Sequence, residues 1–154
     1  MNMPGPKVLF FDLGDTLGVP RFSLAGALSG FDLFPLVPDL LAKMKAPAPV
    51  GFGARLGVIS NTPSDITLAS MSAILTASGV LGFFDPSLLL FSSVEGQDKT
   101  QKSFFTLAAT RAGVPAARCV FVGESDAERI VAKSAGFATS FHPLHAFQVL
   151  KTLP

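Results

Sequence analysis

Residues 8–17 read Val8-Leu9-Phe10-Phe11-Asp12-Leu13-Gly14-Asp15-Thr16-Leu17. Four consecutive apolar residues are typical of a fully buried strand, and this strand ends abruptly at the carboxylate of Asp12. In open α/β sheets, ligands bind just outside the carboxyl ends of the strands. We therefore interpret Asp12 as a candidate nucleophile or metal ligand and as the centre of a functional site.

Short apolar runs of the same kind recur along the chain and alternate with stretches of helical spacing. This alternation predicts an α/β fold, a doubly wound three-layer sandwich with a mostly parallel five-stranded sheet. The predicted strands are Val8–Phe11, Leu56–Ile59, Leu88–Phe91, Cys119–Val122 and Ala138–Phe141. Helices are predicted near Phe34–Met44, Ser64–Ser78, Lys102–Ala112, Ala127–Ala135 and Leu144–Leu150, with Ser64 and Asp126 as N-caps. Two stretches rich in proline and glycine, Gly18–Pro38 and Ala46–Gly53, predict loops.

Length and composition limit the domain organisation and the class of partner. A chain of 154 residues, 49% hydrophobic and 15% charged, suits one domain with a full core, which we predict to span residues 1–154. A net charge of +1 with scattered Lys and Arg argues against nucleic-acid binding. We predict neither a membrane span nor a secretion signal, and hence a cytoplasmic protein. The single cysteine, Cys119, lies in an apolar run and is expected to be a small buried residue.

The stretch around Asp12 resembles the first motif of the haloacid dehalogenase-like (HAD) hydrolase superfamily, an apolar strand followed by Asp-x-Asp-Gly-Thr-Leu. In this chain Gly14 stands where the phosphatases of the family carry a second Asp, and Asp15 holds the glycine position. Three further motifs follow in the order of the family, so the resemblance extends from Val8 to about Pro143. It implies a HAD-like fold and a hydrolase.

The second and third motifs imply residues that bind a phosphoryl group. By similarity, Ser60, helped by Asn61, would hydrogen-bond a phosphoryl oxygen, and Thr16 of the first motif would also bind substrate. In the third motif Lys99 aligns with the lysine that neutralises the nucleophile and the phosphoryl group. The Pro that follows this lysine in the family is Thr100 here.

The fourth motif implies a Mg²⁺ site. By similarity, Glu124, Asp126 and Glu128, which follow the strand Cys119–Val122, join Asp12 and the main-chain carbonyl of Gly14 as ligands, because Mg²⁺ prefers oxygen donors. Glu124 replaces the usual Asp of the family, which shifts its carboxylate by one methylene. Either Asp126 or Glu128 could supply the second acid. The alternative is that Asp126 only caps a helix and Glu128 pairs with a neighbouring side chain.

The mechanism implied by the resemblance is attack of Asp12 on phosphorus to give an aspartyl-phosphate, which water then hydrolyses. Gly14 has no side chain to protonate the leaving group, a step that contributes typically ~10²- to 10⁴-fold, so we expect a slow phosphatase. Asp15 could replace the missing acid only if the backbone at Gly14 turned it inward, because adjacent side chains of an extended segment point to opposite sides.

Three functions remain open at this point. We favour a Mg²⁺-dependent phosphate-ester hydrolase with an unidentified phosphorylated substrate. The alternatives are a HAD-fold binding or regulatory protein with weakened catalysis, and a C–halogen hydrolase. The interval between the first two predicted strands leaves no room for a separate cap domain, so we expect an open site that a large substrate or the other subunit of a homo-oligomer closes. The Phe-rich segment Phe22–Phe34 is expected either to cover the site or to form a subunit contact.

Overall fold

The computed structural model describes residues 5–154, and all that follows concerns these residues. The strands are β1 (Val8–Phe11), β2 (Gly18–Phe22), β3 (Leu28–Leu33), β4 (Arg55–Ser60), β5 (Leu89–Phe91), β6 (Cys119–Val122) and β7 (Ala138–Ser140). The helices are α1 (Val37–Lys45), α2 (Leu68–Ser78), α3 (Ser92–Glu95), α4 (Lys102–Ala112), α5 (Asp126–Ser134) and α6 (Pro143–Thr152). None of them is long and apolar enough to cross a membrane within residues 5–154.

Five strands form one sheet in the order β5-β4-β1-β6-β7, and every neighbouring pair is parallel. The chain leaves β1 for β4 on one side and later returns to place β6 on the other side. β1 is therefore central, and the strand order reverses at this strand. In doubly wound sheets this reversal opens a crevice at the carboxyl ends of the strands, which is where ligands bind.

The two faces of β1 belong to two separate cores, because successive side chains of a strand point to opposite faces. Leu9 and Phe11 pack in a core that includes residues of α1, α2 and α6. Val8 and Phe10 pack in a second core with α4 and α5. All four side chains are fully buried. The α/β class and the doubly wound three-layer arrangement are thus confirmed.

The predicted strands and helices are all present, and their ends move by a few residues. Two predicted helix caps are wrong. α2 is capped by Thr67, whose hydroxyl accepts the backbone N–H three residues further on, and not by Ser64. α5 is capped by Ser125, whose hydroxyl accepts the N–H of Glu128, so Asp126 is already the first helical residue. In both cases the residue that caps is the one whose side chain reaches an N–H in the first turn.

The prediction of a loop over Gly18–Pro38 is wrong, because β2 and β3 form an antiparallel hairpin in this stretch. Gly18 belongs to this hairpin and allows its two strands to approach closely. A Cβ there would lie 2.1 Å from the carbonyl oxygen of Asp32. Pro20 is tolerated because a two-stranded ribbon consists only of edge strands. Residues 46–53, the second predicted loop, contain neither helix nor strand.

Candidate functional site

Asp12 follows β1 directly, and its environment is set by the centre of the sheet. Its backbone N–H donates to the carbonyl of Val122 at 2.9 Å, which ties it to the end of β6. The residue is 7% exposed. Its Oδ1 accepts the N–H of Leu13 at 2.9 Å and the ammonium of Lys99 at 2.6 Å. No hydrogen bond of the described residues involves Oδ2.

Lys99, from the third motif, contacts residues of the other three motifs. It lies between α3 and α4 and is only 2% exposed. Its Nζ contacts Oδ1 of Asp12 at 2.6 Å and Oε2 of Glu128 at 2.9 Å. Its backbone N–H donates to Oδ1 of Asn61 at 3.0 Å. The structure therefore brings together residues that are far apart in the chain, as their place in the motifs predicts.

Glu128 is a half-buried acid whose pKa is raised above its ordinary value. Burial is the main cause; Lys99 opposes it, and the negative charges of Asp12 and Glu124 add to it. Oε2 of Glu128 is buried, and the ammonium of Lys99 pairs with it at 2.9 Å. A second cation beside this buried carboxylate would lower its pKa further.

The structure does not bring Asp126 into this group. Its carboxylate is 89% exposed and pairs with Arg129 on the outer side of α5. Residues two apart on a helix point to nearly opposite sides, so Asp126 and Glu128 cannot both face Asp12. Of the two acids that the sequence left open, the geometry favours Glu128. The expected role of Asp126 as a helix cap is taken by Ser125.

Thr16 and Glu124 contact each other at the junction of the first and fourth motifs. Thr16 is buried, and its hydroxyl accepts the backbone N–H of Glu124 at 3.3 Å. This bond holds the turn after β6 against the turn after β1, and Thr16 is not among the residues that line the cavity described below. The side chain of Glu124 is exposed.

Asp15 is also outside the site, for a backbone reason. It has a φ of 61°, and its N–H donates to the carbonyl of Gly18 at 2.8 Å, which forms the turn into β2. Its side chain is exposed, and Asp15 does not line the cavity. The left-handed conformation is at Asp15 itself and not at Gly14. The turn that would direct Asp15 inward is therefore not formed.

A cavity of about 180 Å³ opens above Asp12. Asp12, Gly14, Ser60 and Asn61 line one side, as the motifs predict. The side chains of the hairpin line the other side: Pro20, Phe22, Leu28 and Phe31. The expectation of an open site is corrected accordingly, because the hairpin supplies a wall. Of the two roles expected for Phe22–Phe34, the structure therefore favours covering the site, although the hairpin that does so was not predicted; the apolar residues at alternate positions of β2 were a signal for it.

A second cavity is larger than the one above Asp12. It measures about 620 Å³ and lies beside α2, where no charged side chain lines it. A catalytic site needs groups that can donate, accept or attack. The smaller cavity contains Asp12, with Lys99 paired to it, and is for that reason the candidate site.

The donors around Asp12 suit a hard divalent cation such as Mg²⁺. The carboxylates of Asp12 and Glu128 converge on Lys99, and Gly14 lines the same cavity with its backbone. Oε2 of Glu128 is buried, and it shares the ammonium of Lys99 with Asp12, so a cation could bind this oxygen as well. No set of three His, Cys, Asp or Glu side chains in the described part of the chain forms a metal cluster by itself. Mg²⁺ commonly uses one or two carboxylates and completes its shell with water and substrate phosphate.

Comparison with solved structures places this architecture among known ones. An uncharacterized protein from Listeria monocytogenes serotype 4b is 19% identical, with a TM-score of 0.74 over 96% of this chain and 99% of that chain. A HAD-superfamily hydrolase, subfamily IA, variant 1, from Geobacter sulfurreducens PCA is 16% identical, with a TM-score of 0.69 over 94% and 100%. A predicted phosphoglycolate phosphatase from Haemophilus somnus 129pt is 28% identical, with a TM-score of 0.58 over 71% and 44%.

Comparison by sequence finds less. No protein-family model matches the chain, and no curated protein matches it either. The structural likenesses extend over nearly the whole of this chain for the first two proteins, and they agree with the resemblance carried by the motif around Asp12. The chain therefore has the fold of haloacid dehalogenase-like proteins.

Proposed function

We propose that the protein is a Mg²⁺-dependent hydrolase of phosphate monoesters in which Asp12 is the nucleophile. One observation carries the proposal. Asp12 ends the central strand at the floor of a cavity, with one carboxylate oxygen held by the buried ammonium of Lys99. The same cavity presents Ser60 and Asn61, whose polar groups can bind the oxygens of a phosphoryl group.

The two oxygens of Asp12 have different tasks in this proposal. Oδ1 is held by Leu13 and Lys99, which fixes the orientation of the carboxylate. Oδ2 attacks phosphorus, a P–O bond to Asp12 forms, and the ester P–O bond breaks with release of the alcohol, which takes up a proton. Water then hydrolyses the aspartyl-phosphate to inorganic phosphate and restores the carboxylate.

Charge is the main obstacle to this reaction, because a carboxylate repels a phosphate dianion. Lys99 offsets part of the repulsion and is held in place by Asp12, Glu128 and the side chain of Asn61. Asp12, Glu128 and the carbonyl of Gly14 are the groups that would hold Mg²⁺. When bound, Mg²⁺ supplies a further positive charge that stabilises the phosphoryl oxygens.

Departure of the alcohol is the weak point of this site. Gly14 carries no side chain, Asp15 is turned outward, and the one carboxylate that lines the cavity is the nucleophile itself. This observation favours slow turnover of esters with poor leaving groups. It also supports a second candidate function, a phosphoryl-binding protein with little catalysis.

The proposal is tested by measuring phosphate release from p-nitrophenyl phosphate with and without Mg²⁺. We expect turnover that depends on Mg²⁺ and is abolished by Asp12→Asn. The matched control is Asp39→Asn, which removes an exposed carboxylate of α1. Turnover that persists in Asp12→Asn would contradict the proposal. Tight binding of vanadate without turnover would favour the binding protein, and halide release from a 2-chloro acid would favour the C–halogen hydrolase.

A further inference from the structure

The cavity above Asp12 has two chemically different sides. Polar groups of the motif loops surround Asp12 on one side. On the other, Pro20 and Phe22 project from β2 at alternate positions, which places them on the same face of the hairpin. Leu28 and Phe31 of β3 complete this wall. A substrate whose phosphoryl group lies at Asp12 would therefore place its leaving group against hydrocarbon.

The lining of the cavity contains one charged residue, Asp12, and no Lys or Arg. Arg21 lies between Pro20 and Phe22 in the chain and faces the opposite side of the hairpin. There it pairs with Asp32 at 3.0 Å, and both side chains are well exposed. Lys99 is already paired with Asp12 and Glu128. No cation of the described lining is free to meet a second negative charge on a substrate.

Size limits the substrate as well. Pockets for drug-sized ligands typically measure ~300–1,000 Å³. The cavity above Asp12 measures about 180 Å³, and the phosphoryl group takes part of it. What remains suits a leaving group of a few carbon atoms.

We propose that the site selects phosphate monoesters whose leaving group is small, uncharged and apolar, and that the hairpin wall rejects esters that carry a second anionic group. The cleavage of such esters rests on the proposed function, whereas the selection is a property of binding. A carboxylate placed against Phe22 and Leu28 would lose its hydration and gain no partner, which disfavours its binding. Each methylene placed there would instead gain the free energy of apolar burial.

The test is calorimetric titration of the wild-type protein, in the presence of Mg²⁺, with alkylphosphonates, in which a P–C bond replaces the ester P–O bond so that they cannot be hydrolysed. Across ethyl-, propyl- and butylphosphonate we expect affinity to rise about fourfold per methylene. Isobutylphosphonate and phosphonoacetate have nearly the same shape but differ in charge. We expect the first to bind about tenfold more tightly or better.

Two variants and a control assign this selectivity to the hairpin. Phe22 is 56% exposed at the mouth of the cavity, so its replacement does not remove core packing. Phe22→Ala should reduce the gain to about twofold or less per methylene, and Phe22→Lys should favour phosphonoacetate. Leu24→Ala is the control, because Leu24 is fully exposed at the hairpin tip and does not line the cavity. It should behave like the wild type.

The outcomes separate this inference from the proposed function. Phosphonate binding that strengthens with chain length, in a protein that hydrolyses no ester, would support the inference and contradict the phosphatase. Turnover of phosphate esters combined with equal or tighter binding of phosphonoacetate would support the phosphatase and overturn the inference. Absence of any phosphonate binding, or affinity independent of chain length, would also overturn it.

Discussion

Replacing Gly14 by Asp should accelerate the phosphate-ester hydrolysis that we propose for this protein. Gly14 lines the cavity beside Asp12, at the position where the phosphatases that the first motif resembles carry their second Asp. A Cβ built there meets only Pro20, at 3.8 Å to Cδ and 4.0 Å to Cγ, which is ordinary van der Waals contact. Gly14 does not have a positive φ, so a side chain requires no strained backbone. Because Pro20 belongs to the hairpin wall, the new carboxyl would point into the cavity.

The expected gain follows from the role of a general acid. Proton transfer to a leaving group contributes typically ~10²- to 10⁴-fold, and we expect about 10²-fold from a side chain that has not been optimised. That is about 2.7 kcal/mol in the barrier. The gain should appear with ethyl or butyl phosphate, whose alkoxide needs the proton. It should be small with p-nitrophenyl phosphate, whose leaving group departs without one.

The assay is kcat for butyl phosphate and for p-nitrophenyl phosphate, measured for the wild type, Gly14→Asp and Gly14→Asn. Gly14→Asn matches the volume of Asp but cannot donate an acidic proton. The reasoning is refuted if Gly14→Asp shows no gain with butyl phosphate while it folds and binds butylphosphonate normally. It is also refuted if Gly14→Asn shows the same gain.

Three further predictions concern stability and reactivity. Lys99→Met should lower the free energy of unfolding in urea by about 3 kcal/mol, because it leaves two carboxylates uncompensated, whereas Lys102→Met, at an exposed position, should change it by less than about 0.5 kcal/mol. Burial raises the pKa of Cys119 to about 12, so its thiol should not react with a maleimide at pH 8 until the protein is unfolded. Burial alone would raise the pKa of Asp85, but hydrogen bonds from Arg55 and Ser87 outweigh burial and lower this pKa below its ordinary value of 3.8. Ionised Asp85 therefore stabilises the fold at pH values above 3.8, and this stabilisation is lost as the pH falls through the lowered pKa. Asp85→Asn should therefore cost about 1 kcal/mol in urea at pH 7 and progressively less below pH 3.8, and a constant cost would contradict this.

The central sheet and its helices follow from local sequence patterns. β1, β4 and β6 are almost continuously apolar because helices cover both of their faces, and such runs are visible without any structure. The position of Asp12 after the apolar run also indicated the site, since a charge at the end of a buried strand lies in the crevice of the sheet. Convergence of Lys99 and Ser60 on Asp12 was predicted from the resemblance of their motifs.

The hairpin was not predicted, because its residues carry conflicting local signals. Pro20 and Gly18 are typical of loops, and their strand pairing depends on a partner ten or more residues away in the chain. The acids after β6 were left open for a different, local reason. From the sequence, Asp126 and Glu128 were equal candidates for the second acid of the metal site. The start of α5 at Asp126 decides between them, because it fixes which of the two side chains faces Asp12.

Local composition thus specified which segments are buried and which strand ends at Asp12, because burial and periodicity are properties of neighbouring residues. The direction in which each polar side chain points was specified by the backbone conformation that the folded chain adopts around it. Asp15 turns outward because its N–H bonds to Gly18, and Glu128 turns inward because α5 starts after Ser125. Such contacts exist only in the folded chain, so the wall of the cavity and the charge around Asp12 had to be obtained from the structure.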